Sequence, residues 1–153
     1  MAPLSVRRAV PSDVPGLAVL FDQYRQFYGR PTDLSAARDF LLQRLQSNES
    51  VVFLACGDEP APVGFTQLYP SFSSVSLARV WVLNDLFVAS SGRKQGVGAR
   101  LLAAAADFAR AEGAVRLTLS TALDNRDAQR LYEAAGWQRD SQFRVYHLPL
   151  GAG

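Results

Sequence analysis

A chain of 153 residues is about one domain in length, and 48% hydrophobic with 20% charged residues is the balance of a soluble globular protein. The net charge is only +2 and the arginines are scattered, which argues against a nucleic-acid partner. The lone Cys56 excludes an internal disulfide framework, and no apolar run reaches the ~18 residues of a membrane span. With no apolar leader in the opening MAPLSVRRAV, the expected location is cytoplasmic, without a membrane partner.

Residues 4–9 alternate apolar and polar side chains, as a short strand does. Pro11, Ser12 and Asp13 form a turn that ends in a helix N-cap, with Pro15 tolerated in the first turn. Val14, Leu17, Leu20, Phe21, Tyr24 and Phe27 then recur at helical spacing, until Gly29, Arg30 and Pro31 break the helix. A second amphipathic helix is expected over 34–46, with Phe40, Leu41 and Leu45 on one side. The apolar run 51–56 reads as a strand, followed by a turn through Gly57, Asp58, Glu59 and Pro60.

Residues 63–69 and 78–88 are the next two strands, joined through the polar stretch 71–76 in an antiparallel meander. The glycine-bearing loop 92–98 leads into an alanine-rich helix over 97–112, closed by Gly113. A strand over 115–121, a helix over 125–135 and a final strand over 143–148 complete the order, with 151–153 a loose tail. The strand–helix–strand unit around Gly96 implies one parallel pairing. The expected fold is a mixed α/β domain spanning 1–150, its mostly antiparallel central sheet flanked by about four helices.

The most informative stretch is LNDLFVASSGRKQGVGARLL, where a strand, a short loop and a helix N-terminus follow one another. Main-chain N–H groups at a helix start are unpaired and the helix dipole is positive there, so an anionic phosphate fits. Gly96 and Gly98 let such an anion approach the backbone, and Arg93 and Lys94 add mobile positive charge. A dinucleotide fold needs its glycine fingerprint after the first strand, and a triphosphate loop needs G-K-[ST]; neither is present.

Arg93-Lys94-Gln95-Gly96-Val97-Gly98 matches the Q/R-x-x-G-x-G/A signature of the GNAT superfamily of N-acetyltransferases. The segment from Asn125 through Ala128 and Tyr132 to Gly136-Trp137 resembles that superfamily's N-x-x-A-x-x-x-Y-x-x-x-G-F/W segment. Together with the strand order, the resemblance covers essentially the whole chain. It implies acetyl-CoA as cosubstrate and transfer to a primary amine; no His/Cys/Asp cluster has metal-ligand spacing, so no metal is expected.

The resemblance also implies places for individual residues. Main-chain groups of Leu86, Phe87 and Val88 pair with the pantetheine arm like an added strand, because the neighbouring strand 115–121 splays away. The N–H groups of Lys94, Gln95, Gly96, Val97, Gly98 and Ala99, with the Arg93 side chain, hold the pyrophosphate. Asn125 and Ala128 line the far side of the cofactor. Tyr132 stands beside the sulfur, where its phenol can protonate the leaving thiolate.

Direct attack requires the amine to lose a proton, the thioester carbonyl to be polarised and the thiolate to be neutralised. It needs no covalent intermediate, because holding thioester and amine together supplies much of the acceleration. Cys56, in the apolar run VVFLAC, reads as a small core residue, and the lone His147 as structural. Many relatives carry a glutamate on the strand before the loop, and polyamine acetyltransferases have Glu-Asp where this chain has Asn84-Asp85. Strict alternation along the strand puts these two on opposite faces, so Asp85 cannot simply stand in for a carboxylate at 84. It remains a candidate base, an ammonium ligand or a structural acid.

The acceptor wall is expected from Tyr24, Tyr28 and Asp22, with Tyr69, Phe72 and Asn84, an aromatic and acidic lining suited to a cationic amine. Residues 67–75 and RVWVLNDLFV resemble an Hpa-type subgroup associated with histone, polyamine or D-amino-acid acceptors and with oligomers. A small cationic amine or amino acid is the first acceptor reading, a protein lysine or N-terminal amine the second, and aminoacyl-tRNA the third. From other classes come a non-catalytic acyl-CoA sensor and a nucleotide-binding signalling domain. A homodimer or higher homo-oligomer is expected.

Overall fold

The computed structural model describes residues 4–151. The expected tail 151–153 thus lies mostly outside the described residues. Strands β1 (Ser5–Arg8), β2 (Val51–Cys56), β3 (Gly64–Ser73), β4 (Ala78–Val88) and β5 (Leu117–Thr118) form one sheet in chain order. The first three pairings are antiparallel and β4–β5 is parallel. Helices α1 (Val14–Phe27) and α2 (Leu34–Gln46) precede β2, α3 (Val97–Ala111) links β4 to β5, and α4 (Arg126–Ala134) follows. This is the mixed α/β architecture expected.

The helix starts have local causes. Asp13 accepts a hydrogen bond from the Val10 N–H at 2.8 Å and pairs with the Arg7 guanidinium, fixing the entry to α1. Asp33 caps α2 by accepting from the Ala36 N–H at 3.1 Å. Leu17, Phe21 and Leu41 of this helix pair pack on Val52, Leu54 and Phe65, forming one core layer. On the opposite face, Leu102, Ala105 and Ala109 of α3 pack on Val51, Leu68, Trp81 and Leu83. Each fully buried Leu or Phe contributes about 1.5–3 kcal/mol, so these two layers carry the fold.

Three expectations are corrected. The strand over 115–121 forms only at Leu117–Thr118, because the chain pairs with β4 over two residues and then diverges. Strand β3 extends four residues beyond the predicted end, to Ser73, through Pro70. Proline is tolerated there because β2 pairs with β3 only as far as Leu68, leaving that edge free of a donor requirement. The predicted final strand over 143–148 is not formed. Its side chains are largely apolar, but β5 pairs over two residues only and no strand among the described residues joins its outer edge. A strand without a partner leaves its main chain to water. Phe143, Val145, Tyr146 and Leu148 are accordingly 74–86% exposed.

Candidate active site

Strand β4 contains the irregularity that builds the site. Its register with β3 runs from Leu83 opposite Leu68 to Asp85 opposite Gln67, so Asn84 is an unpaired bulge residue. Before the bulge, Trp81 and Leu83 face α3. After it, Phe87 packs with the α1–α2 layer while Val88 packs with Val97 and Leu101. The bulge therefore carries Asp85 to the α1–α2 side, whereas unbroken alternation from Leu83 puts it under α3. The expectation that Asn84 and Asp85 face opposite ways is overturned: both line one cleft.

Asp85 is 3% exposed. Its Oδ2 accepts from Gln67 Nε2 at 2.6 Å and its Oδ1 from Asn84 Nδ2 at 3.0 Å. The Tyr24 hydroxyl also reaches this carboxylate and lies 3.4 Å from the Asn84 carbonyl oxygen. Burial pushes the Asp85 carboxyl above its ordinary range, and the donors from Gln67, Tyr24 and Asn84 pull the other way. Burial and the nearby Asp85 charge push the Tyr24 and Tyr69 phenols upward, so both stay protonated at neutral pH.

The cleft over Asp85 encloses about 440 Å³ and is lined by Phe21, Tyr24, Arg25, Tyr28, Arg30, Phe40, Tyr69, Asn84 and Asp85. Four of the six residues assigned to the acceptor wall in the sequence, Tyr24, Tyr28, Tyr69 and Asn84, meet here. Asp22 does not. It is buried and accepts from the Thr32 hydroxyl at 2.6 Å, the Asp33 N–H at 2.9 Å and Gln26 at 3.1 Å. Those bonds, Thr32 foremost, hold its carboxyl below the usual range and pin the α1–α2 connection. Phe72 is also absent from the wall, being 70% exposed beneath the Arg79 guanidinium.

A second cleft of about 580 Å³ runs along β4 and the start of α3. Leu86, Phe87, Val88, Arg93, Lys94, Gly96, Val97, Gly98, Ala99, Asn125, Ala128 and Tyr132 line it. Gln95 does not: its Nε2 donates to the Ser91 carbonyl at 3.1 Å. The β4 edge is open here because β5 meets only Trp81 and Val82 before diverging. Lys94 and Gly96 adopt left-handed conformations, φ 65° and 73°, which curl the loop ahead of α3. The Arg100 N–H bonds the Gly96 carbonyl at 3.1 Å and begins the ladder of α3, so the N–H groups ahead of it belong to the loop and the first turn of the helix. Gly98 matters for a different reason: a Cβ there meets Leu131 Cδ2 at 3.0 Å, so α4 could not approach α3 as closely. Asn125 caps α4, accepting from the Ala128 N–H at 3.2 Å.

Tyr24 and Tyr28 line both clefts. Tyr132, half-buried, stands on one side of this shared wall and Asp85 on the other. The Tyr132 hydroxyl makes no hydrogen bond among the described residues, and burial, with a smaller effect from Tyr28, pushes its phenol upward. The sequence reading missed Gln67, Arg25, Arg30, Phe40 and Asp127. Gln67 had a signal, an uncharged polar residue inside the apolar run of β3; the others are ordinary helix or loop residues. Cys56 packs partly against the α1–α2 layer and His147 lies exposed in the unpaired C-terminal segment, both away from the clefts. No group of three potential metal ligands exists among the described residues.

The chain matches the model of the Acetyltransferase (GNAT) family over residues 17–137. It is 47% identical over 149 residues to the uncharacterized N-acetyltransferase YhfO of Bacillus subtilis, covering 97% of this chain and 99% of that protein. An aminoglycoside N(6')-acetyltransferase type 1 of Serratia marcescens is 29% identical, with 80% and 84% of the two chains covered. A crystal structure of a probable acetyltransferase superposes with a TM-score of 0.93 at 45% identity, over 97% of this chain and 99% of that one. A mixed sheet with one parallel edge pairing and a glycine-loop helix start define an acetyltransferase fold. The chain belongs to the GNAT family.

Proposed function

We propose that the protein transfers an acetyl group from acetyl-CoA to a primary amine by direct attack in a ternary complex. The observation that carries this reading is the junction of the two clefts at Tyr24 and Tyr28, with a phosphate-compatible loop on one side and a buried carboxylate on the other. In this reading Leu86, Phe87 and Val88 offer their open main-chain edge to the pantetheine arm. The N–H groups of residues 94–99 and the Arg93 guanidinium hold the pyrophosphate, while Asn125 and Ala128 wall its far side. Asp85 binds the ammonium and takes its proton, directly or through water. The amine nitrogen forms its bond to the acetyl carbon, the C–S bond breaks, Tyr132 protonates the departing thiolate, and the second proton the nitrogen sheds returns to the Tyr132 phenolate through solvent.

The acceptor is a small cationic amine or amino acid, in keeping with the aromatic cleft and with the likeness of the β3–β4 segment to Hpa-type and polyamine enzymes. The enzyme works in the cytoplasm as a single domain over 1–150; no helix among the described residues is long and apolar enough to cross a membrane. Free-thiol release from acetyl-CoA, measured against polyamines, amino acids and lysine peptides, tests the reading. Turnover is expected with one class of small amine. Failure to bind acetyl-CoA would sink it.

The protein also acts as a homo-oligomer, and its C-terminal segment supplies the reason. No described residue after Ala109 is buried, and Leu131, Tyr132 and Trp137 are only partly covered against α3. The exposed segment around Phe143–Leu148 and the unpaired outer edge of β5 are complementary halves on one chain, which two copies satisfy by exchange. Sedimentation equilibrium of the full chain should give at least twice the monomer mass, and Tyr146→Asp should shift it toward monomer. A wild-type monomer at all concentrations refutes this arrangement.

A further inference from the structure

The geometry points to an acceptor that carries a carboxylate as well as an amine, with Arg25 as the residue that selects it. This inference rests on the acetyl-transfer reading and narrows its acceptor class. Among the described residues, the acceptor cleft holds one carboxylate, Asp85, and two guanidiniums, Arg25 and Arg30. Asp85 lies at the floor, 3% exposed, while Arg25 is half-buried and Arg30 exposed nearer the mouth. Arg25 makes no close ion pair among the described residues, and its charge acts at longer range on the Asp22 carboxylate, whose hydrogen bonds from Thr32, Asp33 and Gln26 are already in place.

The placement follows from the helix. Phe21, Arg25 and Tyr28 share one stripe of α1, so the guanidinium projects beside the rings that wall the cleft. Floor and mouth are therefore of opposite sign, separated by aromatic surface. A polyamine or other polycation meets one carboxylate here and, in the same cleft, the Arg25 guanidinium, which repels charges beyond the first. An amino carboxylate places its ammonium at Asp85 and its carboxylate at the arginine, whose planar fork suits a carboxylate in two-point contact.

The test uses paired probes that differ only in the carboxylate: phenylalanine against phenethylamine, and 6-aminohexanoate against pentylamine. Each is titrated by calorimetry into the full-length protein saturated with CoA, after CoA itself has been titrated. Within at least one pair the carboxylate-bearing probe should bind about 10-fold tighter, about the effect of one charge-assisted contact. Arg25→Gln should reduce that ratio to near one while CoA affinity holds, because Arg25 lies outside the cofactor cleft. Arg25→Lys should restore part of it. Tighter binding of the decarboxylated partner in both pairs, no binding of either amino carboxylate, or an unchanged ratio in Arg25→Gln overturns the inference. Loss of CoA binding in the first titration instead strikes the acetyl-transfer reading, so the two failures are told apart.

Discussion

Replacing Tyr132 with phenylalanine is expected to lower kcat by about 10²-fold or more, within the range general acid catalysis supplies. Affinity for acetyl-CoA should change little, because the ring and its packing against Trp137 are kept. Stability should also hold, since the hydroxyl makes no hydrogen bond among the described residues that the substitution could break. Burial has moved the phenol above its ordinary range, so it remains a proton donor through neutral and mildly alkaline pH. Single-turnover kinetics with the best amine of the panel check this. A variant that retains full kcat would leave Tyr132 as packing only and assign thiolate protonation elsewhere.

Asp85→Asn should lower kcat/KM by about 10²-fold or more and remove the acidic limb of its pH profile. In the wild type that limb should lie above the ordinary carboxylate range, because burial raises the Asp85 carboxyl despite its three donors. The same shift has a stability consequence with a fixed sign. A carboxyl whose folded pKa exceeds its unfolded value favours folding below the unfolded pKa, and that contribution is lost as pH rises through the folded pKa. Wild-type stability relative to Asp85→Asn should therefore fall from about pH 4 toward neutrality. Denaturant melts at several pH values measure it, and a difference that grows with pH would mean the carboxylate is stabilised rather than strained.

Most of the fold was legible because periodicity follows local causes. Helix α2 was expected over the residues it occupies, bounded by Asp33 and Ser47, and β2 likewise. The glycine loop ahead of α3 was also readable, since it is set by residues adjacent in sequence. The bulge at Asn84 was not, because it is a property of the pairing between two strands and neither strand alone encodes it. One unpaired residue overturned the expectation that Asn84 and Asp85 face opposite ways. Arg25 and Arg30 were hidden for a related reason: only tertiary packing brings α1 and its following loop over β4. The final strand over 143–148 had the apolar residues of a strand and no partner among the described residues. Apolar residues identify a face, while a strand also requires an edge.

The shared tyrosines have a thermodynamic corollary. Tyr24 and Tyr28 belong to both walls, so a ligand that settles their rings from one side reshapes the surface offered to the other. The two binding free energies are then not independent. Whatever factor one ligand applies to the affinity of its neighbour, the neighbour returns in equal measure. An amine dissociation constant taken on the empty protein thus describes a different surface from the one present during turnover.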